Sequence, residues 1–425
     1  MNAVTQDQGW PMFMHDYGNT GFSGSSAPDS LYLLWSYDTG QRLFGSPVAS
    51  GGIVYQAGRG CVFALDEETG KMMWSSGVPV VGSTPCKKGD FLYVGTCNGV
   101  ASLNAQTGEV TWEVKLAEFE CGLGKYDFPT FLASCPVATE KGIIMCTHEN
   151  WEMTFPYPYE PPPEGINRVV LLDLENGALL WEYVLGDRGG YSPALANDAV
   201  VINSDDAKLM DLSTGKYLGS YPVEDLYDSS PVISDGELIV VSKKEGIVSL
   251  LEIETGTLLW ERTLEKKVTS TPAICNDTIV VVTCDGTIIA LNKKTGDIIW
   301  RRTIEDSSEG SISETAQNIV SSVNSSPAIA DNKVYVGLRT GVFLCLRLDT
   351  GKTLWKYDTG SAIVASPAVA DGKVFIASTN GNVYCFGKNP EPPTLSQRTV
   401  MVALGSISLL IGLFGAYYLI RRRNK

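Results

Sequence analysis

A chain of 425 residues with a formal net charge of −15 and 19% charged residues is neither a disordered polyelectrolyte nor a basic partner for nucleic acid. Apolar residues make up 44% and glycines number 43, a balance that suits a β-rich globular body with many tight turns. Two histidines, His15 and His148, and ten cysteines without a C-x-x-C pair give no metal-ligand spacing, so no zinc site is expected.

In chain order, residues 1–30 read as a leader extension containing WPMFMHDYGNTGFSGSSAP. Its start, MNAVTQDQGWPMF, has no apolar signal-peptide core. Export would then depend on a signal outside this sequence; the alternative is a tail-anchored protein with its domain in the cytosol.

Self-similarity dominates residues 31–387. A Ser/Thr-Pro step, once Cys-Pro, recurs at Pro47, Pro85, Pro136, Pro193, Pro231, Pro272, Pro327 and Pro367. Between most of these lies an apolar hairpin, then a Thr-Gly or Asn-Gly turn with tryptophan four residues after the glycine. The pairs are Gly70/Trp74, Gly108/Trp112, Gly177/Trp181, Gly256/Trp260, Gly296/Trp300 and Gly351/Trp355. One unit departs: Gly215 is followed by Gly219, with Tyr217 and Tyr221 nearby.

Each unit reads as four short antiparallel strands. SPAVADGKVFIAS holds two apolar runs around Asp-Gly, CVFALD or GNVYCF supplies a third, and GKTLW opens the fourth. Four-stranded units of about 40 residues are propeller blades, because one blade alone cannot bury both faces. WSYDTGQRLFGSP (35–47) matches WKYDTGSAIVASP (355–367) in register, which makes Trp35 an outer-strand residue with no blade before it. The last unit stops at its third strand, near Phe386. The strand around Leu31–Tyr37 should complete that blade and close an eight-bladed ring, leaving no exposed sheet edge.

Strand direction alternates within a blade, so connections between blades share a face with those joining second and third strands. The insertions 116–133, 147–168 and 305–324 all fall on that face, whereas the opposite face has short turns such as Gly51-Gly52, Asp235-Gly236, Asn276-Asp277 and Asp371-Gly372. Long loops on a rigid ring are where binding resides. Trp151, Phe155, Tyr157 and Tyr159, set among prolines, are the candidate partner-binding residues, with Tyr126 and Phe128 extending the patch. Asn276 and Asn324 stand in N-x-S/T contexts.

Residues 388–398 form a Pro-rich linker, KNPEPPTLSQR. Residues 399–420 contain no charge over 22 positions, enough for one transmembrane helix, and 421–425 form a basic tail. Arg421, Arg422, Arg423 and Lys425 place the C-terminus in the cytoplasm and the propeller outside. Ser408, Gly412 and Ala416 recur on one helical face and offer a stripe for dimer packing.

The runs ALDEETGKMMW and ALNKKTGDIIW resemble the tryptophan-docking motif of the pyrroloquinoline-quinone-like propeller repeats, a family that includes BamB-type assembly lipoproteins and membrane-anchored archaeal and bacterial surface proteins. The resemblance covers nearly all of the chain before the linker. It implies that Trp35, Trp74, Trp112, Trp181, Trp260, Trp300 and Trp355 are structural, each packing toward a neighbouring blade. It also implies two function classes, scaffold and quinone dehydrogenase. The dehydrogenases of the family carry calcium ligands, a catalytic Asp and often adjacent cysteines; no vicinal cysteines occur here, and Ser204-Asp205-Asp206 reads as a solvated turn. The expectation is therefore a non-catalytic scaffold without cofactor or metal, binding another surface or membrane protein, or a glycan. The alternative is an oxidoreductase with quinone and calcium in the central channel.

Overall fold

A computed structural model of the chain describes residues 9–389 apart from 29, 31, 81, 117–131, 149–166, 187–190, 227–228, 243–245, 269 and 304–324. Among the described residues the strands form eight sheets of four main antiparallel strands each; one of them also takes Phe22–Ser23 in parallel against Ala328–Ala330, and in another the first strand is split into Leu132–Ala133 and Val137–Ala138. Blade 1 is typical: Val48–Ser50 nearest the axis, then Ile53–Gly58, Cys61–Asp66 and Met72–Ser76 at the rim. The inner strands of successive blades neighbour one another at most seams, and Val48–Ser50 neighbours Ala368–Ala370 of blade 8, so the ring is closed. Turns between first and second strands carry paired positive φ angles, as at Gly51 (63°) and Gly52 (77°) or Asp235 (55°) and Gly236 (78°). This is the geometry that a two-residue hairpin requires.

Closure occurs as the register of the tryptophan repeats requires. Leu33–Asp38 is the outer strand of blade 8, pairing Trp35 with Cys385 and Ser36 with Tyr384. The core is built between blades rather than within them. One apolar cluster joins Tyr55, Ala64 and Trp74 of blade 1 to Leu92, Val94 and Leu103 of blade 2. Another bridges the closure with Trp35, Phe63, Tyr335, Phe375 and Phe386.

Every outer strand begins with a bulge: Leu65 pairs Met72, then Ala64 pairs Trp74, leaving Met73 unpaired. The extra residue turns the tryptophan toward the next blade. There its indole N–H donates to a carbonyl beyond the third strand: Trp74 to Ala105 at 3.1 Å, Trp181 to Leu212 at 2.9 Å, Trp260 to Lys293 at 2.6 Å. The ring lies over the turn glycine of that next blade, so a Cβ on Gly108 would stand 2.4 Å from Trp74. In the aberrant fourth unit Gly219 occupies the tryptophan's register, and Tyr221, two residues on and on the same side, donates its hydroxyl to Ile253 O at 2.8 Å.

The closure leaves one donor behind. Blade 8 takes its outer strand from the N-terminus and has no turn after its third strand, so Trp355 Nε1 is buried and without a hydrogen-bond partner among the described residues. Its ring packs instead among Phe343, Tyr335 and Phe386.

The Ser/Thr-Pro steps form a second ring, around the axis. At six of the eight steps the backbone N–H before the proline donates to the hydroxyl of the same step in the next blade: Ser46 to Thr84 (3.0 Å), Ser230 to Thr271 (3.1 Å), Thr271 to Ser326 (3.0 Å), Ser326 to Ser366 (3.1 Å) and Ser366 back to Ser46 (2.9 Å) among them. Cys135 donates to Ser192 at 3.3 Å.

No helix among the described residues is long and apolar enough to cross a membrane. The span 399–420, with Ser408, Gly412 and Ala416, lies outside the described residues, as do most of the linker and the basic tail.

Candidate functional site

A propeller offers two places for function, its axis and its loop-bearing faces. At the axis, each inner strand leaves one edge unpaired, and unpaired backbone groups need partners. The leader supplies them. Ala49, Lys87, Leu195, Ile233, Ile274 and Ile329, each two residues after a repeat proline, donate N–H to the carbonyls of Trp10, Pro11, Tyr17, Gly18, Thr20 and Gly21 at 2.7–3.0 Å. Blade 3 is met by the Tyr17 hydroxyl donating to Ala138 O at 3.0 Å, and blade 8 by the Ser25 hydroxyl accepting from Gly372 N–H at 3.2 Å. The leader thus touches all eight blades. Read from sequence as an extension ahead of the ring, it belongs to the same compact unit, Met1–Lys388.

Its tight path has local causes. Asp16 accepts the N–H groups of Gly18 and Thr20, both at 3.0 Å, making a capped turn. Asn19, at φ 56°, inserts a buried amide whose Nδ2 donates to Pro193 O and Pro231 O at 3.1 Å each. A Cβ on Gly18 would lie 2.3 Å from Ile233 O. Trp10 is buried, with the His15 ring edge-on to it at 5.1 Å between ring centroids. The spacing of glycines around Asn19 in YGNTG was the signal available in the sequence; only the folded chain shows what it is for.

The alternative reading needs quinone and calcium in this channel. Among the described residues no group of three or more His, Cys, Asp or Glu side chains is placed to hold a metal ion. Ser204-Asp205-Asp206 forms the turn between Ala199–Asn203 and Asp206–Asp211. Burial opposes ionisation of Asp206, yet the Lys208 ammonium and the Ser220 hydroxyl hold its carboxyl below the usual aspartate value. That turn is a paired structural element. Along this channel the inner-strand edge is hydrogen-bonded to the leader.

On the short-turn face, ion pairs stitch blades together. Lys293 meets Asp235 (3.0 Å) and Glu237 (2.6 Å), and Lys373 meets Glu67 (3.1 Å) and Glu68 (2.7 Å) across the closure. Burial pushes the Glu67 carboxyl above its ordinary value, with Lys373 opposing. For Lys373, burial works against the charge, but Glu68 and Glu67 hold its pKa above the ordinary lysine value.

The insertion face is anchored on blade 3. Leu132 pairs with His148 and Ala133 with Thr147, and His148 pairs in turn with Asn167. The end of the first insertion and both ends of the second therefore leave one sheet side by side. Trp151, Phe155, Tyr157, Tyr159, Tyr126 and Phe128 themselves lie outside the described residues. Cys97, in the second-to-third-strand turn of blade 2, is disulfide-bonded. Cys61, Cys86, Cys135, Cys146, Cys275, Cys284 and Cys385 are free thiols, and burial pushes Cys86 and Cys146 up to about 12.

Residues 28–132 and 165–391 match the family described as outer membrane protein assembly factor BamB, with the gap falling on the blade 3 insertion. The chain belongs to this family. Among solved structures it is similar to BamB from Moraxella catarrhalis, with 19% identity, a TM-score of 0.62, and coverage of 85% of this chain and 99% of that one. It is also similar to quinohemoprotein alcohol dehydrogenase from Comamonas testosteroni, with 14% identity, a TM-score of 0.68, and coverage of 91% and 82%. A computationally designed protein, Ika8, matches at 17% identity and a TM-score of 0.64 over 84% of this chain and 99% of that one. Identities this low show a common fold, and the fold is shared by enzymes and a non-enzymatic assembly factor alike. No curated protein sequence matches the chain.

Proposed function

We propose that this BamB-like propeller is a non-catalytic scaffold that binds another surface or membrane protein, or a glycan, through the insertion face of blade 3. The observation that carries the reading is the convergence of two of the three long insertions, 116–133 and 147–168, on one sheet at the Leu132–His148–Asn167 pairing. Their sequences supply Trp151, Phe155, Tyr157, Tyr159, Tyr126 and Phe128 on proline-stiffened backbone, a composition that buries large area at low entropic cost. The leader along the axis is a second support, since it commits the inner strand edges to structure rather than to a ligand. In this reading 399–420 anchors the protein as a single transmembrane helix, with the propeller outside and the basic tail in the cytoplasm. Ser408, Gly412 and Ala416 are the stripe through which two anchors would pair.

The test against the enzyme class is a calorimetric titration of the full chain with pyrroloquinoline quinone in the presence of Ca²⁺, run beside dye-linked oxidation of alcohols and sugars. The scaffold reading expects neither saturable heat nor turnover. Saturable binding with turnover would replace it with the oxidoreductase.

A further inference from the structure

The bulge that aims each outer-strand tryptophan inward has an opposite effect on the two residues before it. Both point outward. Met72 and Met73, Leu179 and Leu180, and Leu258 and Leu259 are each 44–50% exposed, and further blades carry equivalent apolar pairs at the same register. Large apolar side chains repeated so openly around a protein need an explanation, because exposed apolar patches mark contact surfaces.

Their position along the strand is specific. Every outer strand starts at the short-turn face and runs toward the insertion face, so the pairs form a belt at the short-turn end of the rim. Beyond the tryptophan some of these strands become polar, as with Glu261 and Arg262 after Leu258 and Leu259, or Arg301 and Arg302 in the blade of Trp300, whereas Val184, beyond Trp181, is apolar and 58% exposed. On the polar strands the rim is amphipathic along the ring axis. A belt with full pairs on five blades and single apolar residues on the others has no single footprint, which suits a planar fluid partner better than one protein. Lys71 and Lys216 stand just ahead of two of the pairs, where aliphatic stems and ammonium heads fit an interfacial layer.

The chain itself says where such a surface lies. The third strand of blade 8, Asn382–Phe386, runs toward the short-turn face, and Gly387 leaves the ring there with its N–H on Tyr32 O at 3.0 Å. Residues 388–398 then span at most about 40 Å before the charge-free run 399–420 begins. We infer that the apolar rim belt rests on a neutral lipid surface, with the short-turn face toward the bilayer and the insertion face toward the partner. The inference builds on the anchoring role proposed for 399–420. The acidic net charge of the chain, −15, argues for zwitterionic rather than anionic lipid.

The test uses the full chain mixed with phosphatidylcholine vesicles that carry a shallow doxyl quencher. The partly exposed cysteines Cys61, Cys135, Cys275 and Cys284 are replaced by serine, and a fluorophore is attached through Leu180→Cys on the belt or Arg42→Cys on the insertion face. The expected result is lipid quenching at least about two-fold stronger at position 180 than at position 42. Equal quenching in protein that floats with the vesicles overturns the belt while leaving the anchor standing. Protein that does not float overturns both. Energy transfer between copies through position 180, without lipid quenching, assigns the belt to self-association and likewise overturns the inference.

Discussion

The turn glycines show how one residue can be required twice. Gly108 sits at φ 74° and would place a Cβ 2.4 Å from Trp74, whereas Gly256, at φ 69°, faces the smaller Tyr221 at 3.5 Å. Alanine is strained at both, by about 1 kcal/mol or more, but only at Gly108 must an indole also move. Gly108→Ala should therefore lower the unfolding midpoint by several degrees more than Gly256→Ala, measured by thermal denaturation of the two variants. Equal losses would mean that the backbone angle alone selects glycine there. The tryptophan repeat was plain in the sequence, and its direction toward a neighbour was implied by the resemblance to the propeller-repeat family. The glycine that receives it was not, because the partner lies in the next unit and spacing within a unit cannot reveal it. The substitution of Tyr221 for the missing tryptophan follows from strand alternation once the bulge at Gly219 is known.

Among the elements, the leader departs most from its sequence reading. Its hydrophobic and glycine pattern has no strand or helix period, since each carbonyl answers to a different blade. Asn19 is the test of its role: replacing it with leucine removes a buried amide that serves the carbonyls of Pro193 and Pro231. Leaving two buried acceptors unpaired costs about 1–3 kcal/mol each at most. Asn19→Leu should show that loss in denaturant unfolding and should speed hydrogen exchange at Leu195 and Ile233, whose N–H groups rest on the leader. Unchanged exchange there would make the leader a passive passenger. The insertions were legible as insertions because they interrupt a regular repeat. That two of them share one sheet through the Leu132–His148 pairing was not legible, since it depends on an inner strand broken at Pro136.

For the whole molecule, closure depends on the seam between blades 8 and 1. Breaking a buried ion pair by removing one partner costs about 3–5 kcal/mol, because the other charge is stranded. Lys373→Met strands Glu67, whose side chain is 3% exposed. The carboxyl is already raised above its ordinary value by burial, and without the ammonium it rises further. A raised folded-state value means that folding favours the protonated form, so the penalty grows as pH climbs through the carboxylate range and shrinks as pH falls below it. The midpoint deficit of Lys373→Met should thus be larger at pH 8 than at pH 4. In the wild type the contribution of Lys373 is fully present below the ordinary lysine value and is lost only as pH rises through its raised one. An equal deficit at both pH values would contradict a seam held by charge.

Eight blades, their order and the borrowed first strand could all be read from sequence, since the register of the tryptophan repeats fixes them. Function could not, because the fold constrains the ring and leaves the insertions free. The most direct measurement replaces residues 149–166 with a two-residue Asn-Gly turn between His148 and Asn167, and compares cross-linked partners of the two proteins in their native membranes. The scaffold account predicts an unchanged unfolding midpoint and the disappearance of the partner cross-linked by the parent chain through Tyr157. The same partner retained at the same yield, on an intact ring, would contradict it.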